Sequence, residues 1–127
     1  MEEIHLQTTS RDMGYGTVIN LLTTKLIEDS VITELEELVL QVIKHAKVPN
    51  IVLNFDNVIF LSSSVLRTLI KINTAVAERK GQLRLCSIES KILEVFKITK
   101  LDKVFDIRQD VDMAVASIIK LYLRAGD

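Results

Sequence analysis

Residues 51–72 read IVLNFDNVIFLSSSVLRTLIKI. The segment Asn50 to Phe55 is continuously apolar at its centre, and it lies between Pro49 and the turn pair Asp56-Asn57. A short apolar run between turn signals is the pattern of a strand buried on both faces, so this segment is expected at the centre of a parallel sheet. Beyond Ser62, Ser63 and Ser64 the period becomes helical. Arg67, Lys71, Thr74 and Glu78 form one polar stripe, while Val65, Leu66, Leu69, Ile70, Ile72 and Val76 cover most of the remaining surface. The helix is expected to run to Lys80, with Gly81 as its left-handed stop. A helix on a sheet needs one apolar stripe, so the excess predicts a second helix or a partner protein over it.

Working outward, the same alternation repeats. Ile4 to Thr8 alternates apolar and polar and Thr17 to Thr23 is rich in β-branched residues, which predicts two strands joined by the RDMGYG loop. From Ser30 the residues Val31, Leu35, Leu38, Val42 and Ala46 share one helical face, with either Ser30 or the Thr33/Glu36 pair as the cap and Pro49 as the stop. Gln82 to Ile88 is the next strand, followed by a helix carrying Ile92, Val95, Phe96 and Thr99 on one face. A short strand is expected over Val104 to Ile107, and then a last helix with Ala114, Ile118 and Leu121 on one side, capped by Asp110 or Asp112. The expected fold class is α/β: a single domain over residues 1–127 with a mixed, mostly parallel sheet of about four to five strands and about four helices. In such sheets functional residues lie where strands end and helices begin.

Composition narrows the function. The chain is 48% apolar and 26% charged, as ordinary folded domains are. Sixteen basic residues against seventeen acidic ones leave a charge of −1, with no net positive field for nucleic acid or an anionic membrane. No apolar run reaches membrane-spanning length and the N-terminus lacks a leader pattern, so a cytoplasmic protein without membrane insertion is expected. Cys86 stands alone within LRLCSI and is expected to be buried and reduced. Gly14 and Gly16 lack the third glycine of a phosphate-binding loop, and His5 and His45 have no metal-ligand spacing. Asp102, Asp106, Asp110 and Asp112 lack the glycine and closing glutamate of a calcium loop, and read as solvated turns and caps. The expectation is a non-enzyme with no cofactor and no metal.

One serine suffices to cap the helix at the junction by accepting a backbone N–H bond. An exposed hydroxyl at a helix start is also suited to carrying a phosphate, because free N–H groups and the positive end of the macrodipole favour the added anion.

The run IVLNFDNVIFLSSSVLRTLIKI followed by GQLRLCSIESKILEVFKITKLDKVFDI resembles the STAS domain, the family of bacterial anti-sigma factor antagonists, from about Thr17 onward. Ile51 to Phe55 matches the family's strand, Phe60-Leu61 the approach, Ser63-Ser64 its serine pair, and Val95-Phe96 with Leu101 and Phe105 its closing pattern. The sequence departs at two positions, with Ser62 where the family usually has Asp and Val65 where it usually has Gly. The resemblance implies a STAS-like fold and a regulatory module that binds an anti-sigma factor serine kinase, with a phosphatase as a further partner. Ser63 is then the phosphoacceptor, with Ser62 and Ser64 as alternatives, and Leu61, Ser62, Ser63, Ser64, Val65 and Arg67 form the contact. Ser62 would supply the cap. The resemblance equally covers a structural subunit of a signalling scaffold or transporter complex.

Overall fold

In the computed structural model, which describes residues 5–125, the elements run β1 (Thr8–Asp12), β2 (Thr17–Leu21), β3 (Lys25–Leu26), α1 (Asp29–His45), β4 (Ile51–Asn54), β5 (Phe60–Leu61), α2 (Ser63–Glu78), β6 (Leu83–Cys86), α3 (Ser90–Ile98), β7 (Asp106–Arg108) and α4 (Val111–Ala125). The apolar run of the opening stretch is β4, the middle strand of a five-stranded sheet ordered β1-β2-β4-β6-β7. It pairs in parallel with β2 and β6; β1 is antiparallel to β2 and β7 parallel to β6. Ile51, Val52 and Leu53 are fully buried because helices cover both faces. Ile19, Leu53 and Leu85 share a register row and face the large core under α1, α2 and α3. Val18, Val52 and Cys86 face the opposite way, against Ala114 and Ile118 of α4.

The wide apolar face of α2 is covered by α1, so an internal helix takes up most of the excess and Ile70 stays exposed. The buried side of α1 is Val31, Ile32, Leu35, Val39 and Ile43, with Leu38 and Val42 packed at its margin. It is turned from the predicted face because α1 packs on the sheet and on α2 at once.

Several boundaries differ from expectation. The first strand is Thr8–Asp12, and Ile4 lies outside the described residues. The turn closed by Met13 N–H on Gly16 O brings Arg11 and Asp12 into register with Val18 and Thr17. As a largely exposed edge strand, β1 has no apolar alternation to announce it. Helix α1 starts at Asp29 behind Glu28, without a side-chain cap bond, so neither expected cap serves it. Gly81 is not the left-handed residue after α2. Lys80 takes that conformation at φ 59°, its N–H bonds Ala77 O and that of Gly81 bonds Val76 O, the Schellman pattern. Gly81 is needed for another reason: a Cβ there would stand 2.0 Å from Pro49 O. Asp110 caps α4 by accepting from Met113 N–H at 2.8 Å. Asp106 is neither a solvated turn nor a cap, since it is ion-paired with Arg84 and Arg108.

Candidate functional site

Between β4 and α2 the chain makes a tight excursion. Asp56 N–H bonds the Asn54 side chain and Val58 N–H bonds Phe55 O, turning the chain while Phe55 and Val58 stay buried as anchors. The next residues form a two-stranded sheet that was not anticipated, with Phe60 and Leu61 parallel to Lys25 and Leu26. Ile59 N–H on Thr24 O and Ser62 N–H on Leu26 O hold both ends of this clip, at 2.8 and 3.0 Å. Two-residue strands carry no detectable period, which is why the sequence reading missed them. The clip fixes where α2 begins and turns Ile59 and Phe60 outward, 49% and 54% exposed.

The three serines separate in role. Ser62 occupies the N-cap position with extended backbone, but its side chain makes no cap bond and its buried Oγ has no hydrogen-bond partner. The expected cap is therefore right in position and absent in chemistry. The backbone carries the turn instead, through Val65 N–H on Ser62 O at 3.1 Å. Ser63 is the first helical residue and is exposed. Ser64 is half-buried and its Oγ accepts from Arg67 Nη2 at 3.2 Å. Leu61 is half-buried beside them. Val65, expected at the contact, is fully buried in the main core, so its side chain forms no part of this surface. Its β-branched bulk fills space under α2.

No acidic residue occupies the first turn of α2, so the positive end of its macrodipole is not neutralised locally. Arg67 stands one turn along, and Lys25 Nζ lies 5.7 Å from the Phe60 ring centroid. Lys25, Ile27 and Ile59 were not among the expected site residues, and Phe60 was expected only as part of the approach to the serines, not at the contact. Ile27 follows the β3 residue that accepts from Ser62 and is 46% exposed. The apolar pair Ile59-Phe60 between a turn and a helix was the available signal, since residues in such a short loop cannot all be buried.

Elsewhere the chemistry is structural. His5 Nδ1 is paired with Glu34 Oε1 at 2.8 Å, and the Leu6 N–H together with His5 holds the Glu34 carboxyl below its ordinary range. His45 is hydrogen-bonded to Gln41. Cys86 is a free, buried thiol, pushed up to about 11 by burial. Gly14 and Gly16 shape the β1–β2 hairpin loop, Gly14 in the left-handed region and Gly16 against Asn50 O. Among the described residues no group of three or more His, Cys, Asp or Glu is placed to hold a metal, and no helix is long and apolar enough to cross a membrane.

The model of the STAS domain family matches residues 23–114, which run from the start of the clip through the serines and into α4. The chain belongs to the STAS domain family. Among solved structures it is similar to an anti-sigma-factor antagonist (STAS) domain protein from Planctomyces limnophilus. That match has a TM-score of 0.78 at 20% identity and covers 91% of this chain and 99% of that one. The Bacillus cell fate determinant SpoIIAA in its phosphorylated form matches with a TM-score of 0.67 at 16% identity, over 88% of this chain and 99% of that one. The murine anion transporter Slc26a9 matches with a TM-score of 0.69 at 9% identity, over 83% of this chain but 18% of the transporter. At these identities the likeness is one of fold. Among curated proteins no sequence match is found.

Proposed function

We propose that this STAS domain is an anti-sigma factor antagonist: a non-enzymatic binding module that docks on an anti-sigma factor serine kinase and is released when Ser63 is phosphorylated. The observation that carries the reading is the position of Ser63, exposed at the first residue of α2 with Ile59 and Phe60 presented on the preceding clip. The apolar pair supplies contact area and the serine supplies the switch. A phosphate adds about 1.5 to 2 negative charges, which the helix terminus tolerates but an interface must desolvate. The helix stays folded while the docking surface changes sign. Solved structures of similar fold described as anti-sigma factor antagonists, SpoIIAA among them, and a structure of SpoIIAA in a phosphorylated form support the same reading. A phosphatase would return the protein to the binding state in the cytoplasm.

Phosphopeptide mapping that resolves Ser62, Ser63 and Ser64 in growing and stressed cells tests the acceptor, and phosphate is expected on Ser63. Against the purified kinase partner, Ser63→Ala is expected to bind constitutively and Ser63→Asp about a hundredfold more weakly. Wild-type affinity of Ser63→Asp would sink the switch.

The likeness to part of an anion transporter favours one second reading, a permanent subunit in which Ile59 and Phe60 form a fixed interface. Copurification with a larger assembly, insensitive to replacement of Ser63, would select it.

A further inference from the structure

Across the sheet from the serines, α4 covers only part of its face, and β6, β7 and α4 bound a groove of about 580 Å³. Small-molecule sites commonly measure about 300–1,000 Å³. At the base of the groove lies Arg84, 4% exposed, in register with Asp106. Its Nε donates to Ser117 Oγ at 2.9 Å, and Nη1 donates to Gln82 Oε1 and Leu83 O, each at 3.2 Å. Among the described residues nothing accepts from its Nη2.

Among the described residues Asp106 is the one carboxylate in the lining, and both its oxygens are taken by Arg108, from Nε at 2.5 Å and Nη2 at 3.0 Å. That leaves Arg84 a looser approach to Asp106 Oδ2 at 3.4 Å. Lys120, one turn beyond Ser117, lines the same groove. Among the described residues the concavity is thus lined by three cations and one carboxylate, with Arg84 and Arg108 paired to it. The Nη2 edge of Arg84 is not sealed from solvent, so it is the donor left to meet an anion entering the groove. On the α4 wall Met113 and Leu121 are 49% and 41% exposed, an apolar flank beside the charged floor.

We propose that this groove binds a small-molecule oxyanion, a phosphate or carboxylate group, with Arg84, Arg108 and Lys120 as its contacts and Met113 and Leu121 against its apolar part. The planar fork of arginine suits both kinds of oxyanion, and the shared charge excess sets the preference for an anion. The site stands apart from Ser63 and holds whether or not that serine is modified.

The test is titration of the ¹⁵N-labelled full chain with inorganic phosphate and, separately, hexanoate, at constant ionic strength set by chloride. Expected are saturable shifts confined to residues 82–84, 106–108 and 113–121. Lys120→Ala, at an exposed side chain, and Arg108→Gln, at a half-buried one, should each weaken binding about fivefold or more with the folded spectrum retained. Tighter phosphate binding identifies a phosphorylated ligand; tighter hexanoate binding identifies a carboxylate with an apolar tail. Linear shifts spread over the surface, or wild-type affinity in both variants, would overturn the proposal.

Discussion

Ser62 shows how much one hydroxyl can depart from its sequence signature. A side-chain cap is worth about 1 kcal/mol, so Ser62→Ala would lose that much if the cap bond existed. Here the Oγ is buried without a partner, and removing an unsatisfied polar group relieves a penalty. Ser62→Ala is therefore expected to leave stability unchanged or raise it by up to about 1 kcal/mol in urea unfolding. A loss of that size would show that the cap forms in solution. Asp106 makes the second residue-scale prediction. Hydrogen bonds from Arg108 hold its carboxyl below the ordinary range, with the charge of Arg84 adding to the effect and burial opposing it. A depressed carboxylate contributes stability that is complete above its unfolded value and disappears as pH falls through the folded one. Asp106→Asn should be destabilised at neutral pH and show a flatter loss of stability below about pH 4. Parallel acid slopes in urea midpoints for the two proteins would refute the coupling.

At the scale of elements, the end of α2 separates two roles that a glycine after a helix usually combines. Lys80 carries the left-handed conformation at φ 59°, which costs an L-residue about 1 kcal/mol. Lys80→Gly is expected to stabilise the protein by up to about that amount. Gly81 sits where β6 must pass the Pro49 backbone, and a Cβ there would meet Pro49 O at 2.0 Å. Gly81→Ala should cost roughly 2 kcal/mol or more, because a backbone carbonyl cannot swing aside as a flexible side chain can. Thermal unfolding of the two variants should move the midpoint in opposite directions. The β3–β5 clip belongs to this scale too: two residues on each side, invisible to periodicity, decide where Ile59 and Phe60 point and where α2 begins.

For the whole molecule, two cores on opposite faces of one sheet meet at β4, and Cys86 belongs to the smaller one under α4. Its Sγ lies 3.7 Å from Leu53 O, and burial pushes the thiol up to about 11. Such a thiol is neither accessible nor ionised, so alkylation by iodoacetamide at mildly alkaline pH should proceed only through opening of the fold. The expected result is a labelling rate that rises with denaturant in step with global unfolding. Fast labelling of native protein would mean that α4 detaches on its own.

Most of the architecture was legible because burial writes itself into period. The unbroken run Ile51-Val52-Leu53 announced the central strand, and the helical stripes after Ser30 and Ser64 announced α1 and α2, since an element hidden on one or both faces must be apolar there. The serine triplet at the strand-to-helix junction, and the family resemblance of its surroundings, were likewise present in the linear order. What the chain order could not carry were relations between distant residues: the exposed pair on the clip, the burial of Val65, the missing partner of Ser62, and the gathering of Arg84, Arg108 and Lys120 around one carboxylate. Each depends on which strand lies beside which and on which face of the sheet each helix packs. Those choices are made by packing between elements far apart in sequence, where local propensity has no say.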